Sequence, residues 1–595
     1  MCGIFGIITG YETNLGPLLI EAGRRLAYRG YDSAGCATIS RNGIDLRKDI
    51  GRVDEVAARL GFANMRGHRG IVQVRWATFG ELARRNAQPH LDCDGDMVGA
   101  HNGNIINNVQ MRELFASEGH TVRGENDGET CVHAVERHFD RGCDMVEAIR
   151  RAHADLEGDY AFVITHRDDD RLYAIKKGSG LVVGIGEGFT CCSSDLHSIL
   201  PLTRHFLRIH DGEIVILRPH NVELRRVSDG MLVERAPEIF EGDVPVADKG
   251  SFPHFILKEI HEQPRAVEQL LCRLNEDAGV ARFLDALHAA RSVFLVGSGS
   301  SFNACLLGSY YFSRLPGKLV IPALPAQFIE HYAPSLDADT TVVFVSQSGE
   351  TKDVMNAVQL ACSKGMRMVG VTNVESSSLM SATEVNLLLH CGYEFSVAAT
   401  KTFVSECVLF LYLAQRLADL NVSPLQQLPA LLEDTLERSE RWMDDILAPM
   451  MAIGDMYYLG YGVTYPIALE GALKLKELTY MHCEGIFSAE FKHGPLSAVS
   501  PGYPVVFITG PDDVDMMINH INEVTCRGGV AIALAEEDER LRKNVQAHFP
   551  LPTAGQWINP VLATLPLQLA AYHASVRRGL DPDYPRNLSK TLTVD

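Results

Sequence analysis

The chain has 595 residues, of which 46% are hydrophobic, 22% charged and 8% aromatic, a composition that supports sizeable cores and excludes wholesale disorder. At roughly 150 residues per domain, the length implies about three to four domains. Its 55 basic and 75 acidic side chains give a formal charge of -20, which excludes a nucleic-acid binder working through a broad basic surface but not a pocket for small anions.

The N-terminus, MCGIFGIITGYE, has no basic segment and no cleavage site after an apolar run, so it does not read as a secretory signal. Residues 1 to 225 mix β-like runs (Gly3–Ile8, Ile71–Val74, Ala161–Thr165, Glu213–Leu217) with helical segments (Asn108–Glu118, Asp144–Leu156). The strand runs cluster at both ends of the region, an order expected of stacked sheets with helices outside. A polar linker follows, centred on Pro237–Lys249.

Beyond it the pattern becomes strand, Gly-rich turn, helix. Ser292–Val296 ends in Gly-Ser-Gly-Ser-Ser, Thr341–Val345 runs into Ser346-Gln347-Ser348-Gly349-Glu350-Thr351, and Met368–Val371 repeats the scheme. This order predicts a doubly wound parallel sheet with its ligand at the C-terminal strand ends. The apolar run Cys407–Ala414 is too short for the ~18 residues of a membrane span and predicts a buried helix. Tyr457–Leu459 followed by Gly460-Tyr461-Gly462 then mirrors Phe294–Val296 and Gly297-Ser298-Gly299, and Pro504–Ile508 and Val530–Leu534 continue the copy. Two tandem α/β domains are expected, of which one copy need not be active. The 14 cysteines are scattered, with one vicinal pair (Cys191, Cys192) and no CxxC spacing, so free thiols in a reducing, cytoplasmic setting are expected and a metal site is not.

Cys2 is the first chemical signal. Removal of Met1 would leave its thiol beside a free α-amine, whose pKa of about 7.7–8.0 suits a general base. Polar islands interrupt the apolar runs: Tyr28–Gly35, Arg75-Trp76-Ala77-Thr78, His101-Asn102-Gly103 and Glu125-Asn126-Asp127. Arg75 can fork onto a carboxylate, Asp127 can hold an amine, and Asn102 with the Gly103 N–H can form an oxyanion hole. Asn-Gly and Asp-Gly are also ordinary turn signals.

The Ser346–Thr351 turn opens a helix, so hydroxyls and the helix dipole converge on an anion site without a P-loop lysine. On the helix ALEGALKLKEL, Glu470, Lys474 and Glu477 fall on one narrow face, flanked by Leu473 and Leu478. Apolar walls there can shift their pKa values for proton transfer, although a surface ion pair has the same spacing. His493 lies in a loop closed by Gly-Pro. The tail Asp583–Asp595 carries one lysine, Lys590, in an alternating pattern that can fold back onto the body.

Together these segments resemble a known family. Residues 2–225 look like a class II glutamine amidotransferase domain, an N-terminal-nucleophile αββα sandwich. With SQSGET, ALEGALKLKE, FKHGPL and PRNLSKTLTV, the whole chain resembles the glutamine–fructose-6-phosphate aminotransferase (isomerizing) family. The resemblance implies an α/β multidomain chain: the sandwich, a linker (226–250), two doubly wound sugar-isomerase (SIS) domains (251–445 and 446–580) and a tail (581–595) closing the sugar site. It makes Cys2 the nucleophile, Asn102 and Gly103 the oxyanion hole, and Trp76 a gate for ammonia. Arg75, Thr78, Gly103 and Asp127 would hold glutamine. Ser301, Ser346, Gln347, Ser348 and Thr351 would hold the sugar phosphate, and Glu470 and Lys474 would complete the surrounding network. Lys590 would form a Schiff base with the ketose, Glu477 shuttle a proton, and His493, from a partner subunit, assist ring opening. Substrates are then L-glutamine and fructose 6-phosphate, with no metal or organic cofactor, no nucleic acid or membrane partner, and a homodimer or larger homo-oligomer.

The sequence departs from the family's habit at Phe79 (commonly histidine), Ser298 (cysteine), Ala399 (serine) and the Ala326–Glu330 stretch. These leave open a related aminotransferase or phosphosugar deglycase with another acceptor. A non-catalytic phosphosugar sensor would have no use for Cys2, Glu477, His493 and Lys590 together.

Overall fold

The computed structural model describes residues 2–241, 248–375, 377–451 and 454–590. The central part of the expected linker and the last five residues of the tail thus lie outside the described residues. The chain divides into two compact units, Met1–Ala247 with Ser589–Asp595, and Asp248–Leu588.

In the first unit an eight-stranded and a seven-stranded antiparallel sheet face each other. Alternation along the strands sorts their side chains into layers. Ile4, Ile8, Ile39 and Ile71 from one sheet meet Val98, Val163, Leu172 and Val215 from the other in the middle layer. The opposite faces carry Phe5, Ile7 and Val72 under the helices Gly16–Leu26 and Val53–Leu60, and Phe162, Ile164 and Ile175 under Asn108–Glu118, Asp127–Phe139 and Met145–Asp155. The result is the expected sandwich of two sheets with helices outside. Short strands Leu232–Val233 and Glu238–Ile239 pair with Asn221–Arg226 and His205–Arg208, so part of the stretch read as linker completes the sheets. Two-residue strands are too short for an alternation signal, which is why the sequence pattern passes over them.

The second unit holds two five-stranded parallel sheets. In one, Ile321–Ala323 pairs beside Ser292–Gly297, followed by Thr340–Val345, Arg367–Thr372 and Val385–Leu388; in the other, His482–Phe487 pairs beside Asp455–Gly460, followed by Pro504–Ile508, Val530–Glu536 and Ala547–Leu551. Each places its second strand outside its first, the same doubly wound order twice, so the internal repeat is a repeat of topology. The Cys407–Ala414 run is buried within the helix Lys401–Leu417. The helix Leu428–Met450 crosses the anticipated 445/446 boundary without interruption, and one apolar core runs through both halves. Among the described residues no helix is long and apolar enough to cross a membrane.

Asp583, 1% exposed, ties the end of this unit to its beginning. Its carboxylate accepts from the Phe255 and Ile256 N–H groups at 3.0 and 2.9 Å, capping the helix Phe255–His261, and meets Lys249 Nζ at 3.0 Å. Asp583→Ala leaves two buried N–H groups without an acceptor and is expected to cost about 2–4 kcal/mol, with Asp583→Asn losing less. The shift in the chemical-denaturation midpoint checks this; an unchanged midpoint for Asp583→Ala would contradict it.

Candidate active sites

The first cluster gathers where strands of the two sheets end. Gly3 pairs with Val74 and Ser33 with Arg75, which brings Cys2, Asp32 and Arg75 to the same end of one sheet. The Cys2 thiol is buried and donates to the Trp76 carbonyl at 3.5 Å, while Arg29 Nε donates to the Cys2 carbonyl at 3.1 Å. Asp32 was passed over in the sequence as part of a polar island. Its N–H donates to the Arg75 carbonyl at 2.9 Å and its carboxylate accepts from Ala77 N–H at 2.8 Å, fixing the chain on both sides of Trp76. Gly30 permits this approach, since a Cβ there would lie 2.6 Å from the Arg75–Trp76 peptide. Trp76 packs edge-on to Tyr31, with ring centroids 5.9 Å apart.

From the other sheet, the strand Met97–Ile105 supplies His101, Asn102 and Gly103. Gly103 has φ +124°, and a Cβ there would meet the Asp159 carbonyl at 2.1 Å, so only glycine fits. Asp127 begins the helix Asp127–Phe139, capped by Asn126, whose side chain accepts from Gly128 N–H at 3.0 Å. The Asp127 carboxylate accepts from Ile105 N–H at 3.2 Å and lies 3.8 Å from His101 Nδ1.

The unmet hydrogen-bonding capacity is what marks this as a site. Arg75 gives Nη2 to the Phe79 and Gly80 carbonyls, but its buried Nε and Nη1, and both side-chain polar atoms of buried Asn102, have no hydrogen-bond partner among the described residues. Each such atom costs about 1–3 kcal/mol unless a ligand completes it. Burial raises the Cys2 thiol above its ordinary pKa, with Arg75 pulling the other way and Asp127 adding to the rise, so all three are in electrostatic reach of one another. The cluster can therefore take a ligand bearing a carboxylate, an amine and an electrophilic carbonyl. Thr78 is exposed on the following loop, and Phe79 contributes its backbone carbonyl to Arg75.

The second cluster belongs to the other unit. Gly297 pairs with Val345, so the turn before the helix Ser300–Arg314 and the turn Ser346–Thr351 leave adjacent strands at the point where strand order reverses. Ser346 Oγ lies 2.9 Å from Thr351 Oγ1 and accepts from Gly349 N–H at 3.1 Å, and Ser348 Oγ accepts from Glu350 N–H at 3.2 Å. The hydroxyls thus line a tight turn at the N-terminus of the helix Lys352–Ser363, where the dipole favours an anion. Gln347 is half-buried in the same turn, its carbonyl accepting from Asn373 N–H at 3.0 Å. Ser301 instead donates its hydroxyl to Glu406 at 2.8 Å, one strand away.

Glu470, Lys474 and Glu477 share one face of the helix Tyr465–Thr479, as their spacing predicts. Lys474 Nζ reaches Glu477 at 2.5 Å and Glu470 at 3.5 Å, and Glu470 also accepts from Ser300 Oγ at 2.9 Å and Asn303 Nδ2 at 2.8 Å. Both Lys474 and Glu470 are 1% exposed. Burial lifts the Glu470 carboxyl above its usual range despite Lys474; burial works against the Lys474 ammonium, but Glu477 and Glu470 outweigh it and keep the charge in place. Glu394 also acts electrostatically on Lys474. Glu394, Glu406 and Asn303 carry no motif that would single them out in a sequence.

His493 is exposed in the turn Phe491–His493. Lys590 groups with the first unit, its N–H donating to the Tyr28 carbonyl at 3.4 Å, so the second unit by itself does not bring Lys590 to Glu477.

Comparison with known proteins follows the same division. Residues 74–199 match the glutamine amidotransferase domain family, and residues 286–416 and 453–578 each match the SIS domain family. Over their full lengths, chain and relatives align at 39% identity with a protein of Methanothermobacter thermautotrophicus and 37% with one of Aquifex aeolicus, both named glutamine–fructose-6-phosphate aminotransferase [isomerizing]. Among solved structures, the C-terminal domain of glucosamine-fructose-6-phosphate aminotransferase from Francisella tularensis aligns over all of its length and 57% of this chain, at 28% identity and a TM-score of 0.53.

Removing Lys474 would leave the buried Glu470 carboxylate and its neighbour Glu477 without their shared cation. Lys474→Ala is expected to destabilise the protein by about 3–5 kcal/mol, and Lys474→Ala combined with Glu470→Gln to recover part of that loss. Denaturation midpoints of the single and double variants check this; equal midpoints for the two would contradict the coupling.

Proposed function

The chain belongs to the glutamine–fructose-6-phosphate aminotransferase (isomerizing) family, and we propose that its two units divide that reaction between them. The first hydrolyses glutamine to glutamate and ammonia. The second uses the ammonia to turn fructose 6-phosphate into glucosamine 6-phosphate. The observation that carries this reading is the end-to-end match of one chain to such enzymes, glutaminase and sugar domains together.

In the first unit, Arg75 takes the α-carboxylate of glutamine on the two nitrogens left open, and Asp127, with Gly103 and Thr78, holds the amino end. Cys2 attacks the carboxamide. Burial disfavours its thiolate, so the attack needs a base, and the α-amine exposed by loss of Met1 supplies one. The Asn102 side chain and the Gly103 N–H stabilise the oxyanion, ammonia leaves, and water cleaves the thioester. Trp76, anchored on Tyr31, serves as the gate on the ammonia path.

In the second unit, Ser346, Gln347, Ser348 and Thr351 hold the phosphate, with Ser301 beside them. Lys590, which comes from the chain's tail and not from this unit, forms an imine at C2 of the opened ketose with loss of water, and ammonia replaces the lysine there. Imine formation acidifies the C1–H, which Glu477 removes and returns at C2. Lys474 orients Glu477, while Ser300 and Asn303 hold Glu470 behind Lys474. His493 assists ring opening in a neighbouring copy of a homodimer, a role that its exposure suits.

The purified chain with glutamine and fructose 6-phosphate is expected to release glutamate and glucosamine 6-phosphate in equal amounts. Cys2→Ala should lose both by roughly 10³-fold or more, yet retain fructose–glucose 6-phosphate interconversion. Glutamate without an amino sugar would point to another acceptor, and loss of interconversion in Cys2→Ala would contradict separate sites.

A further inference from the structure

Away from both clusters, four ligand-type side chains converge in the first unit. Cys93 follows the strand His90–Leu91, His120 follows the helix Asn108–Glu118, and His133 and Glu136 stand three residues apart on the helix Asp127–Phe139. One ligand atom of each lies within 4.8 Å of all the others. Cys93 Sγ is 3.5 Å from His120 Nδ1 and 3.9 Å from His133 Nδ1, and Glu136 Oε2 is 2.9 Å and 2.6 Å from the same two nitrogens.

Tetrahedral zinc bonds of about 2.0–2.3 Å put neighbouring ligand atoms about 3.3–3.8 Å apart. The sulfur–nitrogen spacings match this, and the carboxylate needs to withdraw by only about half an ångström. The supports expected around metal ligands are also present. Thr121 N–H donates to Cys93 Sγ at 3.1 Å, and Cys93 N–H to the other Glu136 oxygen at 2.7 Å. Arg123 holds the Asp92 and Cys93 carbonyls at 2.8 and 2.9 Å. Behind His133, Glu129 lies 3.7 Å from Nε2, its own oxygens fixed by the Arg123 and Gly124 N–H groups.

We propose that Cys93, His120, His133 and Glu136 form a closed, four-ligand zinc site that braces the helix carrying Asp127. Mixed sulfur, nitrogen and oxygen donors with no open position suit structural zinc rather than a hard cation. A thiolate and a carboxylate also neutralise the divalent charge. Hydrogen bonding alone accounts for His133 lying between Glu129 and Glu136. The Cys93 sulfur facing both Nδ1 atoms adds the soft donor that zinc prefers. The sequence concealed the set because its members are spread over 44 positions, Cys93 to Glu136, with no paired-cysteine spacing.

The test uses the full chain, stripped with a chelator and titrated with Co²⁺ or Zn²⁺. The proposal expects one tightly bound equivalent per chain, a thiolate-to-cobalt charge-transfer band with tetrahedral visible absorption, and a rise in melting temperature with Zn²⁺. Cys93→Ser should abolish the band, and His120→Ala should weaken metal binding by at least about 10-fold. Both should keep the wild-type far-ultraviolet circular dichroism spectrum and its β-sheet signal, which reports that the first unit is folded. No stoichiometric binding, or a band that survives in both variants, would overturn the proposal. If both variants misfold, the wild-type cobalt spectrum and stoichiometry decide it alone.

Discussion

Arg75 ends a central strand with its guanidinium buried and with Nε and Nη1 facing no acceptor among the described residues. A cation so placed costs several kcal/mol unless opposite charge completes it. Around this constraint the first unit is arranged. Gly30 lets the chain press against the Arg75–Trp76 peptide, Asp32 pins the backbone on either side, and the Phe79 and Gly80 carbonyls occupy one nitrogen while leaving two for a ligand. Asn102, with its own polar atoms unmet, and Asp127, on a capped helix, are brought in from the opposite sheet. A glutamine molecule has the carboxylate, amine and carbonyl that such a set would complete.

The second unit treats the buried cation Lys474 differently. Lys474 is already paired, on both sides, by Glu470 and Glu477, so it orients a carboxylate rather than awaiting a ligand. The two sheets of this unit share one topology but divide the chemistry. The first copy carries the hydroxyl-lined turn after Thr340–Val345. The corresponding strand of the second copy, Pro504–Ile508, runs into Thr-Gly-Pro-Asp, which lacks such a turn. What the second copy supplies is the Tyr465–Thr479 helix with its acid–base row, joined to the first copy through Ser300 and Asn303.

Much of this was legible in the sequence where a signal is local. Strand–turn–helix order announced the parallel sheets, and Glu470, Lys474 and Glu477 lay at helical spacing. Serine-rich turns and the Asn-Gly pair marked backbone that must bend tightly, as the positive φ of Gly103 and Gly349 requires. What escaped depends on pairing across the fold. Asp32, Glu394 and Glu406 acquire meaning only from backbone or side-chain partners distant in the chain. The proposed zinc ligands come together because two separate segments, carrying Cys93 and His120, meet beside the helix Asp127–Phe139. Three of the four edge strands of the first unit, His90–Leu91, Leu232–Val233 and Glu238–Ile239, are two residues long, below any periodicity, and continuity of the Leu428–Met450 helix hid the passage between repeats. The glutamine and sugar assignments came from family resemblance, since hydroxyls and carboxylates alone do not specify which phosphosugar they meet.

The proposed division of the reaction requires ammonia to pass internally, because ammonia released into neutral water is mostly ammonium and has no lone pair for attack. The direct measurement is a reaction with fructose 6-phosphate and glutamine labelled with ¹⁵N in its amide, run in excess unlabelled ammonium. Enclosed transfer predicts glucosamine 6-phosphate carrying the ¹⁵N label undiluted. Label diluted toward the composition of the bulk ammonium pool would contradict it.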